Sequence, residues 1–276
     1  MKPAASSLAG AAILALVLTA CGSAAPSRTI VGETTTPTLA PLAADDIVWQ
    51  VVEEAGFTTL EFALSVVPLI TVYADGRVIV QDANDSNVGQ TPIQLREGHV
   101  TPQQVEDLRQ EVAASGLFGS SKVDLGSPAV SDAGVTVVRA ANAQGDQVTV
   151  QAYALGLEGG LGAHELNLRR ELSGLIKRTL QEVPETTPMT PTRLAVIGFQ
   201  GSQDSSQAPA MAWPGTSHAE VFGEHGDQTC ALLPADETAA VYSAALQNPG
   251  HHWRDVDGSF YALVKIALPG TPPCPT

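Results

Sequence analysis

Histidine and cysteine are the residues of this chain with the most chemistry to offer. Five of the six histidines lie beyond residue 160: His164, His218, His225, His251 and His252. His218 and His225, with Glu220 and Glu224 between them, have the side-chain types of a divalent-metal site or of a hydrolytic base. Their spacing follows no ordered ligand pattern, and Gly223 and Gly226 beside them read as a turn. No metal ligand, cofactor or catalytic residue is therefore expected there. His251-His252, next to Trp253, reads as an exposed loop after a helix. The run Asp82-Ala83-Asn84-Asp85-Ser86-Asn87 alternates oxygen ligands, but a calcium loop needs Gly where Asn87 stands and Glu where Ile93 stands. A polar hairpin loop is expected instead. Gly156 to Gly162 holds four glycines but lacks the lysine and hydroxyl of a phosphate loop. GxSxG, HExxH and SxxK are absent.

The three cysteines divide into one and two. Cys21 closes the run Leu18-Thr19-Ala20-Cys21, after an apolar segment from Leu8 to Leu18 and the basic residue Lys2. This run resembles the lipobox of bacterial lipoproteins. The resemblance implies a diacylglyceryl group on the Cys21 thiol and removal of Met1–Ala20. The apolar segment is too short to span a bilayer, which takes ~20 residues. Two acyl chains hold firmly, because each buried methylene contributes ~0.8 kcal/mol. With Cys21 so used, Cys230 and Cys274 are an even pair in an oxidising compartment, and a disulfide is expected. Free thiols or a metal site are the alternatives; two cysteines without CxxC spacing point poorly to metal.

Composition narrows the classes further. The chain is 44% hydrophobic, enough for a packed core and against global disorder. Its formal net charge is −15, and losing Lys2 leaves 13 basic against 29 acidic residues. Such a surface repels nucleic acid and anionic lipid head groups, so membrane contact should come from the lipid.

The elements that must position these residues follow from patterning. Residues 1–20 read as signal peptide and 21–44, rich in Thr, Pro and Ala, as a tether. A first α+β domain is expected over 45–183. Ile47–Val52, Leu69–Tyr73 and Val78–Val80 read as strands, and Thr59–Leu64 alternates like one. Asp75-Gly76 signals a hairpin. Thr101 with Pro102 and Gln104 signals a capped helix ending at Gly116, with Val105, Leu108 and Val112 on one face. Strands are expected at Val135–Val138 and Val148–Tyr153, and a helix from about Ala163 to Val183. On that helix Arg169, Arg170, Lys177 and Arg178 read as a solvated face. The prolines of 184–191 predict a linker, and 192–276 a small disulfide-closed α+β domain. There Arg193–Phe199 and Tyr261–Leu268 read as strands, with a helix opened by Pro234 between them. The fold class is thus α+β: two small modules of antiparallel sheet with packed helices, after a signal peptide and flexible tether.

Three segments carry a wider likeness: Pro68 to Ile79, Ser131 to Thr136 and Tyr153 to Gly156. Together they resemble uncharacterised lipoproteins of high-GC Gram-positive bacteria, over roughly Ile47 to Val183 and more loosely beyond. The resemblance implies an anchor in the outer leaflet of the cytoplasmic membrane, on the extracytoplasmic face, and carries over no functional residue. The expectation is a non-enzymatic binding module for an envelope protein or wall component. An extracytoplasmic hydrolase or metal-dependent enzyme using His218 and His225 is the alternative; an inhibitor or assembly factor is not separable from the first.

Overall fold

Ile47–Glu54 (β1) is rich in β-branched and aromatic residues, and it forms an interior strand of a seven-stranded sheet. The structure, a computed structural model, describes residues 38–82, 92–119, 122–199, 209–223 and 230–274. Cys21, the expected signal peptide, most of the expected tether, residues 83–87 of the oxygen-rich loop, Glu224 and His225 lie outside them. β1 pairs antiparallel with Ile70–Tyr73 (β2) on one side and Val135–Ala141 (β5) on the other. Beyond β2 come Arg77–Gln81 (β3), Leu95–His99 (β4) and Thr187–Pro188 (β7); beyond β5 comes Gln147–Tyr153 (β6). The β2–β3 turn needs Gly76, whose φ is +90° and whose missing Cβ would stand 2.5 Å from the Val100 carbonyl oxygen.

Two helices cover one face of this sheet. Pro102–Ala114 (α2) starts at Thr101 with both bonds of the capping box: Gln104 N–H donates to Thr101 Oγ1, and Thr101 N–H to Gln104 Oε1. Ala163–Gln181 (α3) is the second. Val105 and Val112 of α2 and Leu172 and Leu175 of α3 bury against Trp49, Val51, Ile70 and Val78. The opposite face meets a second sheet.

That second sheet runs Cys230–Leu232 (β10), Leu194–Gly198 (β8), Gly258–Ile266 (β12), His252–Asp255 (β11) and Met211–Ala212 (β9). Its pairings are antiparallel except β9 with β11, which is parallel. Thr238–Ala245 (α5) buries Val241 and Ala245 in a cluster holding Leu194, Val196, Trp253 and Val264 of this sheet and Ile47, Tyr73 and Leu95 of the first. The fold is α+β, with each sheet drawn from one side of residue 190.

Several local expectations change. Thr59–Leu64 is not a strand: Thr59 caps Leu60–Ser65 (α1) by accepting from Phe62 N–H, and local capping outweighs the alternation. Arg169 is not solvated but 3% exposed; its guanidinium donates to the carbonyls of Leu125 at 3.2 Å and Tyr153 at 2.8 Å, and to that of Ala154. His251 and His252 are half-buried, and Trp253 is buried with its Nε1 donating to the Ala262 carbonyl at 2.9 Å. Residues 184–191 are packed: they supply β7, and Arg96 reaches the Thr186 hydroxyl at 3.0 Å. Residues 38–44 are tied to the first sheet and α2, with Ala40 N–H donating to the Ala143 carbonyl at 2.9 Å and Arg109 to the Ala40 carbonyl. β4, β9, β10, β11 and the short helix His218–Phe222 (α4) add to the expected elements.

Candidate functional site

His218 opens α4, and its partner, Asp255, is the last residue of β11. Its Nδ1 lies 2.9 and 3.0 Å from the two Asp255 carboxylate oxygens, and its backbone N–H donates to Oδ2 at 2.6 Å. Asp257 N–H donates to Oδ1 at 3.0 Å. These bonds, together with burial that opposes them, leave the Asp255 carboxyl below the usual carboxylate range. The His218 ring stacks on Phe260 at 4.7 Å between centroids. His218, Asp255 and Asp257 offer ligand atoms within 4.8 Å of one another. The Asp255 oxygens accept from three donors, the His218 backbone N–H, His218 Nδ1–H and the Asp257 N–H. The carboxylate is therefore engaged in tying α4 to the hairpin. Nδ1 held against the carboxylate leaves Nε2 as the ring nitrogen that Asp255 does not engage, the pairing found in histidine–carboxylate bases. No hydroxyl or thiol of the described residues hydrogen-bonds to Nε2.

The other histidines do not converge on it. His252 stacks on Tyr261 at 4.6 Å and His251 lies edge-on to Phe199 at 6.4 Å. Burial pulls the His251 pKa down, and Glu61 pulls it back up. Glu220, expected near the histidines, lies on α4 two residues beyond His218.

Cys230 on β10 and Cys274 in the C-terminal tail are bonded, with Cα atoms 5.6 Å apart across a separation of 44 residues. Closure of such a loop contributes roughly 4 kcal/mol on a chain-entropy account. The bond also fixes where the tail runs. Tyr73 Oη donates to the Pro269 carbonyl at 3.1 Å, and Gln50 Nε2 to Thr271 Oγ1 at 3.0 Å. The tail is thus a strap tied at one end to the second sheet and laid on the first.

Under this strap lies a cleft of about 400 Å³. β1 and β5 supply Gln50, Val52, Val137 and Arg139; α1 and the turn after it supply Leu64, Val66 and Val67; β12 and the tail supply Lys265, Leu268, Thr271 and Cys274. The polar groups are placed by register. Gln50 stands opposite Thr71 on β2 and opposite Arg139 on β5, so the three form one row across the sheet. Gln50 is fully buried; its Nε2 donates to the hydroxyls of Thr71 at 3.1 Å and Thr271 at 3.0 Å, while Oε1 has no partner. Burial pulls the Lys265 pKa down. Neither Lys265 nor Arg139 has a carboxylate within ion-pair distance among the described residues. Sequence reasoning singled out none of Gln50, Arg139, Lys265 and Thr271. The signals were there in weak form: Gln50 interrupts a β-branched run, and Lys265 sits inside the apolar strand Tyr261–Leu268.

Comparison with protein-family models, with curated proteins and with solved structures finds no match for this chain.

Proposed function

We propose that the chain is a membrane-anchored extracytoplasmic lipoprotein, held by lipid on Cys21, whose folded body is a non-enzymatic module that binds a small ligand in the cleft between the two sheets. The observation that carries the binding reading is Gln50: a fully buried amide at the cleft with half of its hydrogen-bonding capacity unused. An unpartnered buried polar group costs about 1–3 kcal/mol, which a bound ligand can offset. The anchor rests on the lipobox-like run ending at Cys21, and the bonded Cys230–Cys274 pair suits an oxidising compartment. An envelope protein or wall component is the partner class that such an address supplies.

Growth with a labelled fatty acid, followed by membrane fractionation, tests the anchor. Wild type carries label and stays with membranes; Cys21→Ser carries none and is released. A labelled or membrane-bound Cys21→Ser chain contradicts the reading. A hydrolase built on His218 is the second reading, favoured by the Asp255–His218 bond alone. It requires that His218→Ala abolish a hydrolytic activity while leaving the fold intact.

A further inference from the structure

We propose that the cleft takes a small organic acid, its carboxylate between Arg139 and Lys265 and its apolar body against Val52, Val137 and Leu268. The inference names the ligand class of the binding module proposed above, and it does not depend on the anchor.

Charge supplies the first argument. The chain holds 29 acidic residues against 14 basic ones. Arg77, Arg96, Arg109, Arg170 and Arg178 all have carboxylate partners. Among the described cations without one, Arg139 and Lys265 are the pair that lines this partly enclosed cleft. Glu54, the acidic residue of that lining, is exposed. A cation withdrawn from water without a counter-charge is costly, and an incoming anion is the remedy.

The fold supplies the second. Arg139 and Gln50 come from adjacent strands in register, and Lys265 from the other sheet, so the cations approach from two separate elements. The Gln50 amide fits an anion equally well. Rotating it by 180° lets Oε1 accept from the Thr71 and Thr271 hydroxyls and turns the NH2 group to the unpartnered side. Valine, leucine and proline make up much of the remaining lining, and about 400 Å³ falls within the range of small-molecule sites. An inorganic anion would leave that apolar surface unused.

Isothermal titration of the purified full-length protein in nanodiscs, with empty nanodiscs as the blank, tests this with three probes. Benzoate has the charge and the apolar body, benzamide the same shape without the charge, and acetate the charge without the body. Benzoate is expected to bind one to a chain, at least tenfold more tightly than benzamide or acetate. Arg139→Met and Lys265→Met should each weaken it at least tenfold, and Lys265→Arg should restore most of the loss. Both side chains are half-buried and without a carboxylate partner among the described residues, so folding of the methionine variants is expected to survive; thermal melts check it. Equal binding of benzamide, insensitive to the variants, overturns the acid assignment while leaving a binding cleft in place. No binding of benzoate overturns the inference outright, whereas the anchor is read separately from fractionation of Cys21→Ser.

Discussion

The Gln50 side-chain amide donates to Thr271 Oγ1 at 3.0 Å, joining residues 221 positions apart in the chain. This bond stitches the centre of the first sheet to the strap that runs back from the second. Gln50 therefore has two roles, one in holding the strap and one in facing the cleft.

Gln50→Met is close to volume-conserving and removes both the unpartnered oxygen and the bonds of the amide. Removing one member of a buried hydrogen-bonded pair leaves the Thr71 hydroxyl without its Gln50 partner, which costs about 1–3 kcal/mol. The unfolding free energy in urea is expected to fall by about 1–3 kcal/mol, while benzoate affinity falls at least tenfold.

Opening the disulfide acts on the strap. Cys230→Ser with Cys274→Ser should lower unfolding free energy by roughly 4 kcal/mol in urea titrations. Because Cys274 lines the cleft, benzoate binding should weaken as well. A destabilised variant with unchanged affinity would place the ligand elsewhere.

Arg169 anchors the helical layer. Its guanidinium links α3 to the Leu125 carbonyl and to those of Tyr153 and Ala154 at the end of β6. Arg169→Ala leaves those acceptors buried without the guanidinium, with an expected loss of about 1.5–3 kcal/mol in urea unfolding. Arg169→Lys should recover only part, since one ammonium cannot match the planar fork.

Asp255 predicts an acid limb in stability. Its folded-state pKa is depressed, so its contribution is present above the unfolded value of about 3.9 and is lost as pH falls through the folded one. The charged and titratable groups around it are His218, Asp257 and the neighbouring Arg254. Asp255→Asn should cost about 1.5–3 kcal/mol near neutral pH. Thermal melts of that variant should show a shallower decline below pH 4 than wild type.

Legibility followed the range of the interactions. Thr101 and Gln104 revealed α2 because a capping box is complete within four residues. Asp75-Gly76 revealed its hairpin for the same reason. Thr59 carried a cap too, but alternation in Leu60–Leu64 masked it. Arg169 looked solvated because its acceptors, 15 to 44 residues away, are invisible to helical spacing. His218 was legible as a chemical group but not Asp255, which lies 37 residues on. The cleft is the extreme case: β1, β5, β12 and the tail meet only after both sheets form, and a lone Gln or Lys in a strand gives no pattern.

Titration of ¹⁵N-labelled protein with benzoate, followed by two-dimensional amide spectra, tests the binding cleft most directly. Shifts should centre on the Gln50 side-chain NH2 group and on the backbone amides of Arg139, Lys265 and Thr271. Shifts confined to α4 and the β11–β12 turn, with the Gln50 amide unmoved, would contradict a ligand site between the sheets.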